Sequence, residues 1–356
     1  MENARPMDHA GAPILAMRDE LARAAVEAQF ARWPDLYARY GSVGRDKCVD
    51  DVRYHLLYLA EAVGADAPGL FAAYASWAKV LFAGLGIPAG ELGDSLILLR
   101  DLIAERVGGD AARRAAACVD AAVAALPSVG TAPPTLIDPD APHADLACAF
   151  LDALVAGDRR RATAMVMERV DGGMTVRDAY LHVFQPVLRE IGRLWQTGRI
   201  SVAHEHFATA ATQAVMSMLY PRIFAAERCG RSMVATCVSG ELHEIGIRMV
   251  ADFFEMAGWD SYYLGANAPT RSIVRAMVER DAHVLAISAT ITPHVGTVAE
   301  LVRAVRAEMG ERPLRIIVGG YPFLLEPDLW RVVGADGSAQ DAEGAVELAE
   351  RLLDGK

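Results

Sequence analysis

From residue 233 onward the sequence alternates short β-branched runs with amphipathic stretches, and this alternation constrains the fold more than any other feature. Met233 to Val238, Ser261 to Leu264, Val284 to Ser288 and Leu314 to Val318 read as strands. Helices are expected at about His243 to Gly258, Ser272 to Arg280 and Thr297 to Met309, with a last one after Gly334 to Ala339. Strands joined through helices must run parallel, with right-handed crossovers and helices on both faces. The expected fold class for residues 231–354 is therefore α/β, a Rossmann-like or flavodoxin-like parallel sheet. Ligands of such sheets sit beyond the carboxyl ends of the strands, so the turns there are where chemistry is sought.

What precedes this segment is helical. Pro127 to His143 holds five prolines in PSVGTAPPTLIDPDAPH, cannot continue a helix, and reads as a linker over 127–142. Before it, residues 14–126 read as an all-α N-terminal domain. Val49, Val52, Leu56, Leu59 and Val63 share one helical face. Gly64 and Asp66-Ala67-Pro68 break the chain, and further helices are expected at Gly69 to Leu81, after Pro88, and at Ala111 to Leu126. After the linker, residues 143–227 read as an all-α four-helix cap. Thr175 and Asp178 form a capping-box variant there, and Pro186 predicts a kink or local break.

The turn after the first strand reads Gly240-Glu241-Leu242-His243-Glu244-Ile245-Gly246. Gly240 permits a sharp turn. An imidazole at His243 can face the crevice, and Glu241 can accept a hydrogen bond from its other ring nitrogen, fixing the tautomer and raising basicity. Gly246 allows close approach of a ligand. Taken alone, the segment reads equally as an exposed histidine at a helix start. The next strand ends bring Leu264-Gly265, Ser288-x-Thr290, Gly319-Gly320 and Gly334-Ala335-Asp336. Small residues at successive strand ends leave room for a slot, although each glycine separately is ordinary turn chemistry.

Glu241-x-His243-x-x-Gly246, Ser288-x-Thr290 and Gly319-Gly320 together resemble the cobalamin-binding domain shared by corrinoid enzymes and sensors. The family pattern has Asp where this chain has Glu241 and Leu where it has Thr290. The resemblance implies a cobalamin whose nucleotide base leaves cobalt and whose tail enters the slot. His243 then becomes the lower cobalt ligand, and Leu264, Gly265, Gly334 and Asp336 join the pocket. In the cap, Trp195, nine intervening residues and Glu205-His206 resemble the pattern of light-sensing adenosylcobalamin photoreceptors. An indole offers a flat apolar face, and Glu205 can accept hydrogen bonds from an adenosyl group. Core packing of Trp195 and a polar helix surface at Glu205-His206 is the competing reading. Those photoreceptors place a histidine directly after the tryptophan; here it is Gln196, a much poorer cobalt ligand.

The N-terminal domain shows no basic recognition helix. Its architecture resembles the photocobilins, which pair cobalamin with biliverdin. That resemblance implies Arg53, His55, Tyr58, Tyr74 and Trp77 as bilin-binding residues, with Tyr54 nearby; core aromatics and solvated charges are the alternative. The implied function is light sensing without enzymatic activity, through a light-dependent homo-oligomer or a downstream signalling protein. The alternative is a corrinoid methyl carrier of a methyltransferase system. A mutase would need a large substrate barrel that the chain does not encode.

Composition removes other classes. A net charge of −11 without a basic cluster beyond Arg159-Arg160-Arg161 argues against nucleic-acid binding. Five cysteines without CxxC spacing argue against zinc or a disulfide framework and suit a reducing cytoplasm. No signal peptide and no membrane-spanning run are expected.

Overall fold

A computed structural model describes residues 6–88, 90–224 and 226–355. The N-terminal domain comprises α1 (Ala12–Ala16), α2 (Arg18–Arg32), α3 (Asp35–Ala65), α4 (Pro68–Gly84), α5 (Gly90–Arg106) and α6 (Gly109–Ala125). The expected N-terminal stripe is the second half of α3. The first half escaped the sequence reading because Gly41, with φ of 64°, kinks it, and the polar run around it carries no apolar period.

Little regular structure follows α6 until residue 144, yet the linker is anchored. Buried Glu190 accepts the Leu136 N–H at 2.9 Å, and Arg193 donates to the Pro133 carbonyl at 3.1 Å. The cap then builds α7 (Ala144–Val155), α8 (Arg159–Asp171), α9 (Val176–Asp178), α10 (Gln185–Gln196), α11 (Val202–Met218) and the short α12 (Tyr220–Ile223). Thr175 and Asp178 cap α9 reciprocally, as their spacing predicts. The break expected at Pro186 takes the form of a π-helical turn over Ala179–Phe184, after which Pro186 occupies the first turn of α10.

The C-terminal domain is a five-stranded parallel sheet ordered β2-β1-β3-β4-β5. Its strands are β1 (Ser232–Cys237), β2 (Asp260–Gly265), β3 (Val284–Ser288), β4 (Arg315–Gly319) and β5 (Gly337–Ser338). The connecting helices are α13 (Ile245–Met256), α14 (Thr270–Arg280), α15 (Val295–Met309), α16 (Tyr321–Leu325), α17 (Leu329–Val332) and α18 (Ala342–Asp354). Sequence reading missed β5 because two residues are too few to show a period. It also began α13 at His243. In the structure the backbone of 241–244 turns on itself, with Glu241 N–H on the Val238 carbonyl and Glu244 N–H on that of Leu242, so the helix starts at Ile245.

The sheet separates two cores. Val234, Leu285, Ile316 and Val318 point into a core shared with α14, α15 and the N-terminal bundle. Met233, Ala235, Val284, Ala286 and Ile317 point the other way, into a core shared with α13, α18 and the cap. The pleat's alternation of side chains thus assigns each face of one sheet to a different helical domain. Among the described residues no helix is long and apolar enough to cross a membrane.

Candidate functional site

The chain leaves β1 toward β2 on one side and returns through β3 on the other, so the strand order reverses between β1 and β3. Open parallel sheets bind ligands at such a switch point. Cys237, Ser288 and Gly319 end their strands side by side in register.

Gly240, with φ of 85°, turns the chain at the end of β1, and its N–H is held by Asn267 Oδ1 at 2.8 Å. Glu241 follows, with no solvent exposure. Its Oε1 accepts the His243 N–H at 2.9 Å and pairs with His243 Nδ1 at 2.6 Å. Its Oε2 accepts the Thr290 N–H at 2.7 Å and faces His294 Nδ1 at 3.0 Å. The carboxylate therefore ties the two sides of the switch point together. Burial disfavours its charge, but these four contacts outweigh burial and hold its pKa well below the usual carboxylate range.

The His243 ring is 62% exposed. Its hydrogen bond to Glu241 raises its pKa against the opposing effect of burial, and the charge of Glu205 on the cap adds to the rise. Because Nδ1 is committed to Glu241, Nε2 is the nitrogen left to act as a ligand. Leu242 beside it and Val202 at the start of α11 are large apolar side chains open to solvent.

The glycines divide by what surrounds them. Gly320, with φ of 105°, lies so close to the Ala289 carbonyl that any Cβ would overlap it. Its glycine is demanded by the protein. Gly265, with φ of 78°, lets the Glu244 carboxylate approach; Glu244 accepts from Tyr263 and Gln213, linking the sheet to α11. A Cβ at Gly246 would meet nothing within 4 Å. The space beside Gly246 is open. A ligatable imidazole, a carboxylate fixing its tautomer and an unfilled approach at Gly246 fit a cobalt-centred cofactor.

Leu264, Gly265, Ser288, Thr290, Gly319 and Gly320 lie at carboxyl strand ends, where the sequence placed them. Gly334 and Asp336 do not. They precede β5, and Asp336 accepts the Ile316 N–H at 2.6 Å and pairs with Arg306 at 3.0 Å, at the opposite end of β4. Ala339 is the first residue beyond β5 and lies beside Gly319, because Gly337-Ser338, inside the glycine-rich segment, is itself the strand. His294, Asn267 and Glu244 were missed. The signal for His294 was its place in the turn after β3, four residues beyond Thr290.

In the cap, Glu205 pairs with His206 Nδ1 at 2.6 Å and accepts from Thr209 at 2.9 Å. His204 is engaged in capping α11 through Ser201. Trp195 meets the N-terminal domain, its ring 6.1 Å from that of Trp77. Gln196 turns its amide to the Trp77 carbonyl at 2.9 Å. Behind this contact Gly84 packs on the Gln196-Thr197 backbone, where a Cβ would stand 2.9 Å from the Thr197 carbonyl carbon.

Tyr58, Tyr74 and Trp77 form a ladder leading to Trp195, with Tyr58 and Tyr74 stacked at 3.8 Å. His55 is buried, bonds the Tyr74 hydroxyl at 2.8 Å, and has its pKa lowered to about 4 by burial. The Arg53 guanidinium pairs with Asp19 and Asp50.

Comparison with known proteins agrees with the cofactor. Residues 231–349 match the B12 binding domain family, and residues 146–220 match a second B12 binding domain family. A corrinoid protein of Desulfitobacterium hafniense is 25% identical over 207 residues, 56% of this chain and 94% of that protein. Dimethylamine corrinoid protein 1 of Methanosarcina mazei is 27% identical over 172 residues, 48% of this chain and 78% of its own. The solved monomethylamine corrinoid protein of Methanosarcina barkeri shares the fold, with a TM-score of 0.52 at 19% identity over 60% of this chain and all of that one. The C-terminal part of the chain is thus a corrinoid-binding module, and the similar proteins are corrinoid proteins rather than photoreceptors.

Proposed function

We propose that the chain is a corrinoid carrier that holds a cobalamin with His243 as the lower cobalt ligand and exchanges a one-carbon group with partner proteins. The observation that carries this reading is the His243 imidazole, exposed at the switch point with Nδ1 fixed by a fully buried carboxylate. Proteins similar over the cap and sheet are named for dimethylamine and monomethylamine corrinoid functions, which favours a methyl group. A bound cobalamin would supply a cobalt atom able to carry an alkyl group. Glu241 keeps the His243 proton on Nδ1 and makes the ring a stronger donor. Gly246, Gly265, Ser288, Thr290, Gly319 and Gly320 are the small groups around the cofactor tail. Trp195, Glu205 and His206 belong to the cap above.

A second reading, light sensing with adenosylcobalamin, is favoured by a specific contact. The N-terminal domain seats Trp77 against Trp195 and takes up the Gln196 side chain, an attachment that an open carrier has no use for. Biliverdin, a light-dependent homo-oligomer and a signalling partner belong to this reading alone.

Two measurements test the proposal. Labelling the protein's histidines with 15N changes the nitrogen splitting in the electron paramagnetic resonance spectrum of bound cob(II)alamin if a protein imidazole is the ligand. The change must vanish in His243→Ala; if it persists, the ligand assignment is wrong. Loading with adenosylcobalamin in darkness, then following absorbance and size under green light beside free cofactor, separates the readings. A change of size on illumination displaces the carrier in favour of the sensor.

A further inference from the structure

The N-terminal domain touches the site at a second place, far in sequence from the Trp77 contact. Glu61, near the end of α3, reaches the first turn of α15 and accepts the Gly296 N–H at 2.9 Å. A Cβ at Gly296 would stand 2.9 Å from the same Oε2, so the bare backbone is what admits the carboxylate. His294 stands immediately before that helix, and its Nδ1 is 3.0 Å from Glu241 Oε2. The other oxygen of Glu241 holds His243. One turn back on α3, Tyr58 lies near enough to Glu241 for the carboxylate's charge to reinforce burial in pushing its hydroxyl pKa up to about 12. Through Gly296 and His294, Glu61 therefore lies two contacts from the carboxylate that holds His243.

We propose that Glu61 is a positioning residue for His243, acting through the first turn of α15, His294 and Glu241, so that docking of the N-terminal domain and cobalt ligation are coupled. The inference rests on His243 being the cobalt ligand. Glu61 fixes where α15 begins, and the start of α15 fixes His294. With His294 in place, Glu241 divides its acceptor capacity between two imidazoles. If Glu61 lets go, His294 is free to withdraw and Glu241 is no longer held square to His243. The coupling is reciprocal by necessity: ligation that draws on Glu241 must also alter the hold on α15. The residue that begins this chain of contacts lies well before residue 146, where the matches to B12 binding domains begin, so the device belongs to what this chain adds to the corrinoid core.

The test uses the full chain loaded with cob(II)alamin for resonance and aquocobalamin for affinity. Wild type, Glu61→Ala, Glu61→Gln and His243→Ala are compared with 15N-histidine labelling. Glu61→Ala is expected to lower the imidazole-ligated fraction and weaken aquocobalamin binding by about threefold to tenfold, below the full range for direct partners of metal ligands. Glu61→Gln keeps a carbonyl acceptor for the Gly296 N–H and is expected to restore both. If Glu61→Ala matches wild type while His243→Ala loses the labelled splitting, the coupling is refuted and the ligand assignment stands. If His243→Ala keeps the splitting, the ligand assignment itself falls. A readout that does not need the Glu61 variants is amide exchange in residues 294–297, expected to change on adding aquocobalamin to wild type and not to change in His243→Ala. Identical exchange with and without cofactor in wild type overturns the proposal even if Glu61→Ala does not fold.

Discussion

Replacing Glu241 by glutamine tests the centre of the site without removing volume. The wild-type carboxylate offers acceptors on both oxygens, and each oxygen faces two nitrogens: His243 N and Nδ1 on one side, Thr290 N and His294 Nδ1 on the other. A glutamine has one acceptor oxygen. Whichever way its amide turns, its NH2 confronts a backbone N–H and an imidazole nitrogen, and at least one buried backbone donor loses its partner. Bonds to a charged group are worth about 1.5–3 kcal/mol each, and a stranded buried donor costs about 1–3 kcal/mol. Relaxation of His294 and His243 recovers part of this, since both rings can rotate away. The expected net loss is about 3–5 kcal/mol, the range seen when one member of a buried charged network is removed. Native-state hydrogen exchange of β1 and β3 reads it within the right domain. Their core amides should exchange roughly a hundredfold to several thousandfold faster at neutral pH. A loss below about 1 kcal/mol would show that Glu241 is not the tie across the switch point.

The remaining predictions concern glycines and one carboxylate. Gly320→Ala forces a methyl group into the Ala289 carbonyl at a φ of 105°, and should cost about 3 kcal/mol or prevent soluble expression, read by yield and thermal melting. Gly246→Ala meets nothing in the protein, so the cofactor-free chain should keep its melting temperature while aquocobalamin affinity falls at least tenfold; unchanged affinity would remove Gly246 from the pocket. Burial pushes the Glu61 carboxyl up to about 7, outweighing the Gly296 N–H. The folded protein then holds a proton that the unfolded chain releases near pH 4.3, so this contribution is full below that pH and is lost as pH rises to about 7. Glu61→Gln should abolish roughly 3 kcal/mol of that decline, seen as a flatter stability profile between pH 4.5 and 7 by urea denaturation. Gly84→Val should part the N-terminal domain from the cap, because the position already touches the Thr197 backbone, and proteolysis in the 127–142 linker should quicken; an unchanged rate would deny that contact any role in docking.

How far the sequence could be read depended on the range of the interactions. The sheet was legible because β1, β3 and β4 bury runs of five, four and three residues whose branching and spacing are local properties. Glu241 and His243 were legible as a pair because a single residue, Leu242, lies between them. His294 was not, since its partnership with Glu241 spans more than fifty positions and is created by the register of β1 with β3. Gly334 and Asp336 were misplaced for the same kind of reason. A glycine-rich turn looks the same at either end of a strand, and here Gly337-Ser338, inside that segment, is itself the strand.

The division of the sheet between two cores also changes what the N-terminal domain can do. The cap packs on the α13–α18 face and the N-terminal bundle on the α14–α15 face, so the two helical domains approach the switch point from opposite sides. They meet at Trp77 and Gly84 on one side and Trp195, Gln196 and Thr197 on the other. A cofactor seated over His243 lies where both can sense it. Under the proposed coupling, the contacts of Glu61 with Gly296 and of His294 with Glu241 would link the bundle to the residue that holds the cofactor.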